Sequence, residues 1–280
     1  MSTIFETIEF EALDGYRLGG RIFSQGEAPE AIVLVCGGIG APQKIYAPLA
    51  DRLAHRNLAV ITFDYRGTGA SRHEPLRRLK ADLRDWGVQD MGGAIAEARR
   101  RFPGVSLLGI GQSFGAQALG LQPDPNVFSR FCAVATLSGY HGNTDESLRI
   151  LLMMNLVGVP LTKVLGYFPG ASGGFGANLP AGVFLQWAKW CRNKDYFFGD
   201  PELPETDNFA RYRGPLLAIG LTDDRWGTPK ALHALLRHYT NAQITECWLS
   251  PGTETTTEIG HFGFFRRENR SLWRHLEEFL

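Results

Sequence analysis

The chain has 280 residues, enough for one large domain or two small ones, and its 44% hydrophobic and 21% charged residues are typical of an ordinary soluble globular protein. Its 29 basic and 29 acidic side chains cancel, so no net field favours nucleic acid or an anionic membrane. The four cysteines are far apart and form no Cys-x-x-Cys pair, which argues against a zinc site and against a disulfide framework.

Export and membrane insertion are not expected. Residues 1–11 are acidic and lack the basic-then-apolar layout of a signal peptide. The longest apolar stretch, 150–161, contains Asn155 and Pro160 and is too short to cross a bilayer. We therefore expect a cytoplasmic chain without stable membrane insertion.

Short β-rich segments alternate with longer helical patterns, which is typical of a mostly parallel sheet with helices on both faces. A hairpin turn is predicted at Asp14-Gly15. The run 31–35 is continuously apolar, as expected of a strand buried on both sides. Eight strands are predicted, at 4–12, 17–23, 31–35, 59–63, 105–110, 131–137, 215–220 and 243–249. Helices are predicted at 46–56, at 81–101, from 113, at 229–239 and at the C-terminus.

The alternation is interrupted between residues 140 and 205. This part contains apolar helical pieces, a glycine-rich patch at 170–178 and an aromatic stretch at 184–198. Because the strand–helix alternation resumes after it, we interpret 140–205 as an inserted helical lid. Residues 1–139 and 206–280 then form one α/β core.

A Gly-x-Ser-x-Gly pattern, Gly111-Gln112-Ser113-Phe114-Gly115, lies between a predicted strand and a predicted helix. A sharp strand-to-helix turn needs small residues beside the serine, because neighbouring chain passes close by. Such a turn exposes the hydroxyl above the sheet, at the positive end of the helix. We therefore predict that Ser113 is a nucleophile rather than a capping residue in a glycine-rich turn.

A serine hydroxyl needs a base to take its proton. Of the seven histidines, His261 is the best placed, because it lies in a loop after the last predicted strand, with Gly260 and Gly263 beside it. The others lie in helical patterns or loops, and among them His141 is a candidate for substrate contact.

A carboxylate is expected after the preceding strand, where it would orient the histidine and stabilise the imidazolium. Strand 215–220 runs into Asp223 and Asp224, and either carboxylate fits this role. The order Ser, Asp, His distinguishes this arrangement from the two other common serine protease orders.

These motifs, with GAPQKIY (40–46), DYRGTGAS (64–71), LPAGVFLQWAKW (179–190) and GHFGFFR (260–266), resemble the α/β-hydrolase superfamily. The similarity is to its serine aminopeptidase-like and monoacylglycerol lipase-like branch, and to a bacterial group known mainly as predicted α/β-hydrolases. The resemblance implies the α/β-hydrolase fold. The family's acid commonly stands four residues before a proline, and Pro229 follows Asp224 by one residue more, which favours Asp224 over Asp223.

Two backbone N–H groups are expected to form the oxyanion hole. One should belong to Phe114, directly after the nucleophile. The other should come from loop 37–41, most simply Ile39. Here the chain departs from its relatives, which usually carry His-Gly after the third strand where this chain has Cys36-Gly37.

The aromatic residues of 140–205 offer an apolar surface for an acyl chain. The candidates are Trp187, Trp190, Tyr196, Phe197 and Phe198, although for any one of them packing of the lid onto the core is the stronger explanation. An apolar lid over a serine nucleophile favours a small-molecule substrate with an apolar acyl group.

We predict a hydrolase that cleaves a carboxylic ester or thioester through an acyl-enzyme on Ser113, without a metal or a cofactor. Two alternatives keep the same residues: an acyltransferase that uses the same triad, and an inactive hydrolase-fold binding protein with an altered oxyanion loop. Peptidase activity is less expected, because no acidic pocket for a substrate amino terminus can be identified.

An alternative of another class is a nucleotide-binding oxidoreductase. Gly38-Ile39-Gly40 follows a strand and Asp64 ends the next, which loosely resembles a dinucleotide-binding pattern. Gln43 replaces the third glycine of that pattern, and Pro42 would disturb the start of the helix.

Overall fold

The computed structural model describes residues 5–26, 28–173, 175–253, 255 and 258–280. Its strands are β1 (Phe5–Glu11), β2 (Arg17–Phe23), β3 (Ala31–Cys36), β4 (Leu58–Phe63), β5 (Ser106–Gln112), β6 (Arg130–Val134), β7 (Tyr167–Phe168), β8 (Leu179–Pro180), β9 (Pro215–Leu221) and β10 (Gln243–Leu249). Its helices are α1 (Ala47–Ala54), α2 (Met91–Arg101), α3 (Phe114–Gln117), α4 (Ser147–Leu152), α5 (Val159–Leu165), α6 (Ala181–Arg192), α7 (Pro229–Leu236), α8 (Gly260–Gly263) and α9 (Trp273–Phe279).

One eight-stranded sheet organises the molecule, in the order β1-β2-β4-β3-β5-β6-β9-β10. The β1–β2 and β2–β4 pairs are antiparallel, and all other neighbours in this sheet are parallel. The predicted eight-stranded, mostly parallel sheet is therefore confirmed. Strands β7 and β8 form a separate antiparallel pair.

The central strand β3 explains why both faces of the sheet are covered. Ile32 and Leu34 point into one buried cluster, and Val33 and Val35 into the other. Successive side chains of a strand alternate between faces, so a continuously apolar strand needs a packed layer on each side. Helices α2, α6 and α7 pack into the first cluster, and α1 and α9 into the second. The expected helices on both faces are confirmed.

Two of the differences between predicted and observed element boundaries have a clear physical cause. Strand β6 ends at Val134 rather than at residue 137, because Ala135 adopts a positive φ of 50° and turns the chain. The predicted helix 81–101 begins after Asp82, where Asp82 and Asp85 each accept a hydrogen bond from the other's backbone N–H at 3.0 Å. A π-helical turn over Asp85–Asp90 then leads into α2.

Residues 140–205, here called the intervening segment, lie between β6 and β9. Ile150, Met154 and Phe184 of this segment belong to the same buried cluster as one face of the sheet. The segment therefore shares the core of the sheet and covers part of that face.

The apolar helix of the intervening segment is longer than expected. Helix α4, a π-helical turn over Met153–Gly158, and α5 run on as one helix over Ser147–Leu165, 19 residues that are by length and composition sufficient to cross a membrane. The expectation that this stretch is too short was wrong, because the helix continues past Pro160, which stands in the first turn of α5. The absence of membrane insertion stays a prediction. The large apolar side chains that this helix exposes are Leu148, Leu152, Leu156, Val157, Leu161, Val164 and Leu165.

Candidate active site

Ser113 lies on a strained turn at the carboxyl end of β5. Its φ of 50° and ψ of −114° lie outside the backbone regions that residues other than glycine favour. A Cβ on Gly111 would lie 2.5 Å from the backbone N of Ala116, and one on Gly115 would lie 2.0 Å from the carbonyl oxygen of Cys36. Only glycine therefore fits at the positions two residues before and two residues after the serine, as the pattern predicts.

His261 and Asp224 meet at the same edge of the sheet. Asp224 follows β9, His261 lies in α8 beyond β10, and His261 Nδ1 donates a hydrogen bond of 2.7 Å to Asp224 Oδ2. The Asp224 side chain is 1% exposed and that of His261 is 16% exposed. Burial acts to raise the pKa of Asp224, but attraction to His261 and hydrogen bonds from His261, Gly227 and Trp226 outweigh it, so the pKa is lowered. Asp224 is therefore a carboxylate facing the imidazole.

Asp223 makes a different contact. Its Oδ2 accepts a hydrogen bond of 2.8 Å from the backbone N–H of Ile259, and its Oδ1 is buried without a hydrogen-bond partner among the described residues. Asp223 thus fixes the chain just before His261 rather than the imidazole itself. Of the two acids that the sequence left open, the geometry pairs Asp224 with the histidine.

Ser113 and His261 line one cavity of about 280 Å³. No hydrogen bond of 3.5 Å or less joins the Ser113 hydroxyl to His261 in the described part of the chain. Contacts of this kind are often long in enzymes without substrate and shorten when substrate binds. The structure thus brings the predicted nucleophile and base together above the carboxyl edge of the sheet.

The predicted oxyanion donors flank the serine. A Cβ on Gly38 would lie 3.3 Å from the Ser113 Cβ, so the loop after β3 touches the nucleophile. The N–H of Gly38 donates to the Tyr46 hydroxyl at 3.1 Å and is therefore occupied. Within residues 28–173 and the other described ranges, the N–H groups of Ile39 and Phe114 donate no hydrogen bond, and both residues line the cavity. Neither N–H group is therefore occupied by an acceptor in the described part of the chain, and their role as oxyanion donors stays a prediction.

Gln112 connects three parts of the site, and sequence reasoning missed it. Its Oε1 accepts a hydrogen bond from the Tyr46 hydroxyl, and its Nε2 donates to the carbonyl oxygen of His261 at 3.0 Å. Since Tyr46 also accepts the N–H of Gly38, one buried side chain links the loop after β3, the nucleophile turn and the histidine. A glutamine in the variable position of the motif was the only signal for this role.

The cavity wall is mostly apolar and aromatic, and the intervening segment supplies much of it. Trp187 lines the cavity, as predicted. Trp190 does not: it is 1% exposed and its indole N–H donates to Asp200 at 2.6 Å. His141 does not line it either, and its ring nitrogen instead lies 2.9 Å from the Ser147 hydroxyl. The structure therefore places neither Trp190 nor His141 in the wall of this cavity.

Several wall residues were not predicted from the sequence. The ring of Trp226, just after Asp224, lies 6.3 Å from that of His261 and 5.6 Å from that of Trp187. Tyr196, a candidate from the sequence, also lines the cavity. The other apolar wall residues, which the sequence did not single out, include Leu137, Ile150, Met153, Phe175 and Phe262. The two oppositely charged residues in the wall, Glu146 and Arg149, pair with each other at 2.7 Å.

The contacts of Asp64 contradict the dinucleotide-binding alternative. Asp64 is 4% exposed, and its carboxylate accepts hydrogen bonds from the backbone and side chain of Gln43 at 2.8 Å and from the N–H of Ala70 at 2.9 Å. These bonds leave no room for ribose hydroxyls. Within the described ranges, no group of three or more His, Cys, Asp or Glu side chains is placed to hold a metal ion.

Comparison with known proteins finds one family match over part of the chain and two partial relatives. The sequence model of the family described as serine aminopeptidase, S33, matches residues 27–155. An uncharacterized protein of Mycobacterium tuberculosis is 42% identical over 78 residues, which are 26% of this chain and 27% of that protein. The thiohydrolase aneE of Aspergillus aculeatus is 28% identical over 121 residues, 41% of this chain and 36% of the relative. The matches thus span about a quarter to a third of these curated relatives.

The fold comparison covers almost the whole chain. The crystal structure of the esterase Pf2001 of Pyrococcus furiosus superposes with a TM-score of 0.60 at 16% identity, over 99% of this chain and 92% of the other. At this identity the likeness establishes the fold. Together with the family match over residues 27–155 and the sheet order, it shows that this chain has the α/β-hydrolase fold.

Proposed function

We propose that the protein is a serine hydrolase that cleaves a carboxylic ester or thioester with an apolar acyl group. The proposal rests on one observation. A serine on a strained nucleophile turn shares a cavity with a histidine, and Nδ1 of that histidine is hydrogen-bonded to a buried carboxylate. This arrangement fits activation of a hydroxyl by an oriented base.

The reaction has two steps. His261 takes the Ser113 proton as Oγ bonds to the substrate carbonyl, and the N–H groups of Ile39 and Phe114 stabilise the oxyanion. The carbon–oxygen or carbon–sulfur bond to the leaving group then breaks, and His261 gives its proton to the leaving atom. Water attacks the acyl-enzyme by the same route and releases the acid, while Asp224 stabilises the imidazolium in each step.

The shape and chemistry of the cavity support an apolar acyl group. Its wall is dominated by aromatic and aliphatic side chains, and the two charged residues in it, Glu146 and Arg149, form an ion pair with each other. In this proposal the intervening segment acts as a lid that excludes water from the acyl chain.

Labelling and turnover test the proposal together. A fluorophosphonate should label Ser113 covalently, and p-nitrophenyl esters should be hydrolysed. The Ser113→Ala variant should lose the label and at least about a thousandfold in kcat, because no nucleophile remains. Circular dichroism and the melting temperature check that the variant is folded. Wild-type turnover in a folded Ser113→Ala protein would rule the proposal out.

A further inference from the structure

A second cleft lies beside the candidate active site, and the function proposed above does not use it. Its volume is about 560 Å³, twice that of the cavity around Ser113. Its apolar lining includes Pro42, Ile45 and Phe265. The cleft is thus large enough to hold a group that extends beyond the acyl pocket.

The wall between the two spaces is one residue thick. Ile39 lines the first cavity, and the next residue, Gly40, lines the cleft. In the same way, Phe175 lines the first cavity and Gly176 lines the cleft. A Cβ on Gly40 would lie 2.4 Å from the carbonyl oxygen of Phe175, and one on Gly176 would lie 2.2 Å from that of Gly40. Two glycines therefore allow the backbones to touch, and they keep the wall thin.

The cleft opens on the histidine side of the site. Phe262, directly after His261, lines both spaces and is 37% exposed. In the proposed reaction His261 gives its proton to the leaving atom, so the leaving group must lie on its side of the carbonyl. A leaving group too large for the cavity would extend past Phe262 into the second cleft.

The charge of the cleft indicates what that group carries. Lys44, Arg266 and Arg267 line it and are exposed, and Glu268 is the opposing charge in its lining. None of the three cations forms an ion pair with a residue in the described ranges. A net positive cleft with an apolar floor favours an anionic ligand with an apolar stem.

We infer that the second cleft binds a phosphate carried by the leaving group of the substrate. This inference rests on the proposed function and names its substrate class: acyl esters or thioesters whose alcohol or thiol bears a phosphate. Such a group has two sources, a phosphopantetheine thiol and a glycerol phosphate. With the first, the carbon–sulfur bond breaks as the Ser113 ester forms and the thiol takes the proton from His261. With the second, a carbon–oxygen bond breaks in the same way.

Matched substrates test the inference. S-hexanoyl-4′-phosphopantetheine is compared with S-hexanoyl-pantetheine, and 1-hexanoylglycerol 3-phosphate with 1-hexanoylglycerol. Wild-type kcat/KM should favour the phosphate-bearing member by about tenfold at low ionic strength, and salt should reduce this preference. The pair with the larger preference identifies the source of the phosphate.

Charge-removing variants locate the effect. A triple variant, Lys44→Gln, Arg266→Gln and Arg267→Gln, should reduce the kcat/KM preference to about one. Because this preference is a ratio of two substrates measured on the same variant, a general loss of activity does not change it. Arg270→Gln is the matched control, because Arg270 is exposed in the same turn as Arg267 and does not line the cleft. It should keep the wild-type preference. A wild type that hydrolyses both members of each pair equally well would overturn the inference.

A binding measurement separates the inference from the proposed function. Calorimetry on the Ser113→Ala variant compares free 4′-phosphopantetheine with pantetheine, and glycerol 3-phosphate with glycerol. Phosphate-dependent binding that the triple substitution abolishes would support the cleft assignment, even if no ester were hydrolysed. Equal binding of the phosphorylated and unphosphorylated probes would contradict it, whatever the esterase activity.

Discussion

The two sides of the cavity are built in different ways. On the sheet side, named polar groups meet at fixed distances: His261 bonds to Asp224, Asp223 bonds to Ile259, and Gln112 bonds to the backbone of His261. On the side of the intervening segment, the wall consists of packed apolar surfaces such as those of Met153 and Trp187.

The two sides of the cavity should therefore control different properties of the enzyme: the catalytic rate and the preference for an acyl chain. Directional hydrogen bonds fix the positions of reacting atoms to within tenths of an ångström, whereas apolar contacts are non-directional and define only a volume. We therefore expect substitutions on the sheet side to change kcat, and those in the intervening segment to change which acyl chain is preferred.

The largest contrast is expected between the two neighbouring acids. Asp224→Asn should lower kcat for p-nitrophenyl esters by about a thousandfold to ten-thousandfold, because an amide neither stabilises the imidazolium nor holds its tautomer. Asp223→Asn should stay within about tenfold of wild type, since the remaining carbonyl oxygen still accepts the N–H of Ile259. Initial rates at saturating substrate measure both. Equal losses in the two variants would contradict the assignment of Asp224.

A smaller effect is expected at Gln112. Gln112→Leu removes the link between Tyr46 and His261, and we expect kcat to fall about tenfold with little change in KM, because the imidazole is less well positioned. Gln122→Leu is the control: Gln122 is also buried, and it bonds the carbonyls of Gly87 and Ala118 away from the cavity. It should lower the melting temperature and leave kcat unchanged. If both variants lost kcat in proportion to stability, Gln112 would have no positioning role.

The smallest effect is expected in the apolar wall. Trp187→Phe enlarges the cavity, so the chain-length profile of p-nitrophenyl esters should move toward longer acyl groups. The ratio of octanoyl to butyryl kcat/KM should rise about fivefold. Trp190→Phe makes the same exchange outside the cavity and should leave that ratio unchanged. An unchanged profile in Trp187→Phe would show that this wall does not select the acyl chain.

The sheet and the polar residues were predictable because their signals are local. Short apolar runs predict the eight strands. The glycines of the motif predict the nucleophile turn, and the structure shows that a Cβ at these glycines would clash with the neighbouring backbone. Asp224 was favoured over Asp223 by its spacing to Pro229, and the hydrogen bond to His261 agrees with that choice.

The apolar wall was less predictable, because many aromatic residues are equally suited to line a cavity or to fill a core. Trp187 and Trp190 lie three residues apart in one helix, yet only Trp187 reaches the cavity, and the sequence does not reveal how that helix is rotated. Trp226 was missed for a related reason: its position depends on how β9 and the intervening segment approach each other. The length of the helix over Ser147–Leu165 was underestimated, because only the apolar run 150–161 was counted and the helix extends beyond that run at both ends.

The backbone of Ser113 has a consequence for how this protein can evolve. A side chain held at a positive φ of 50° costs on the order of 1 kcal/mol or more, and glycine would adopt the same conformation without that cost. Selection for stability alone would therefore favour glycine at residue 113, which carries no hydroxyl. A serine at position 113 therefore lowers the stability of the fold but supplies the hydroxyl on which the proposed reaction depends.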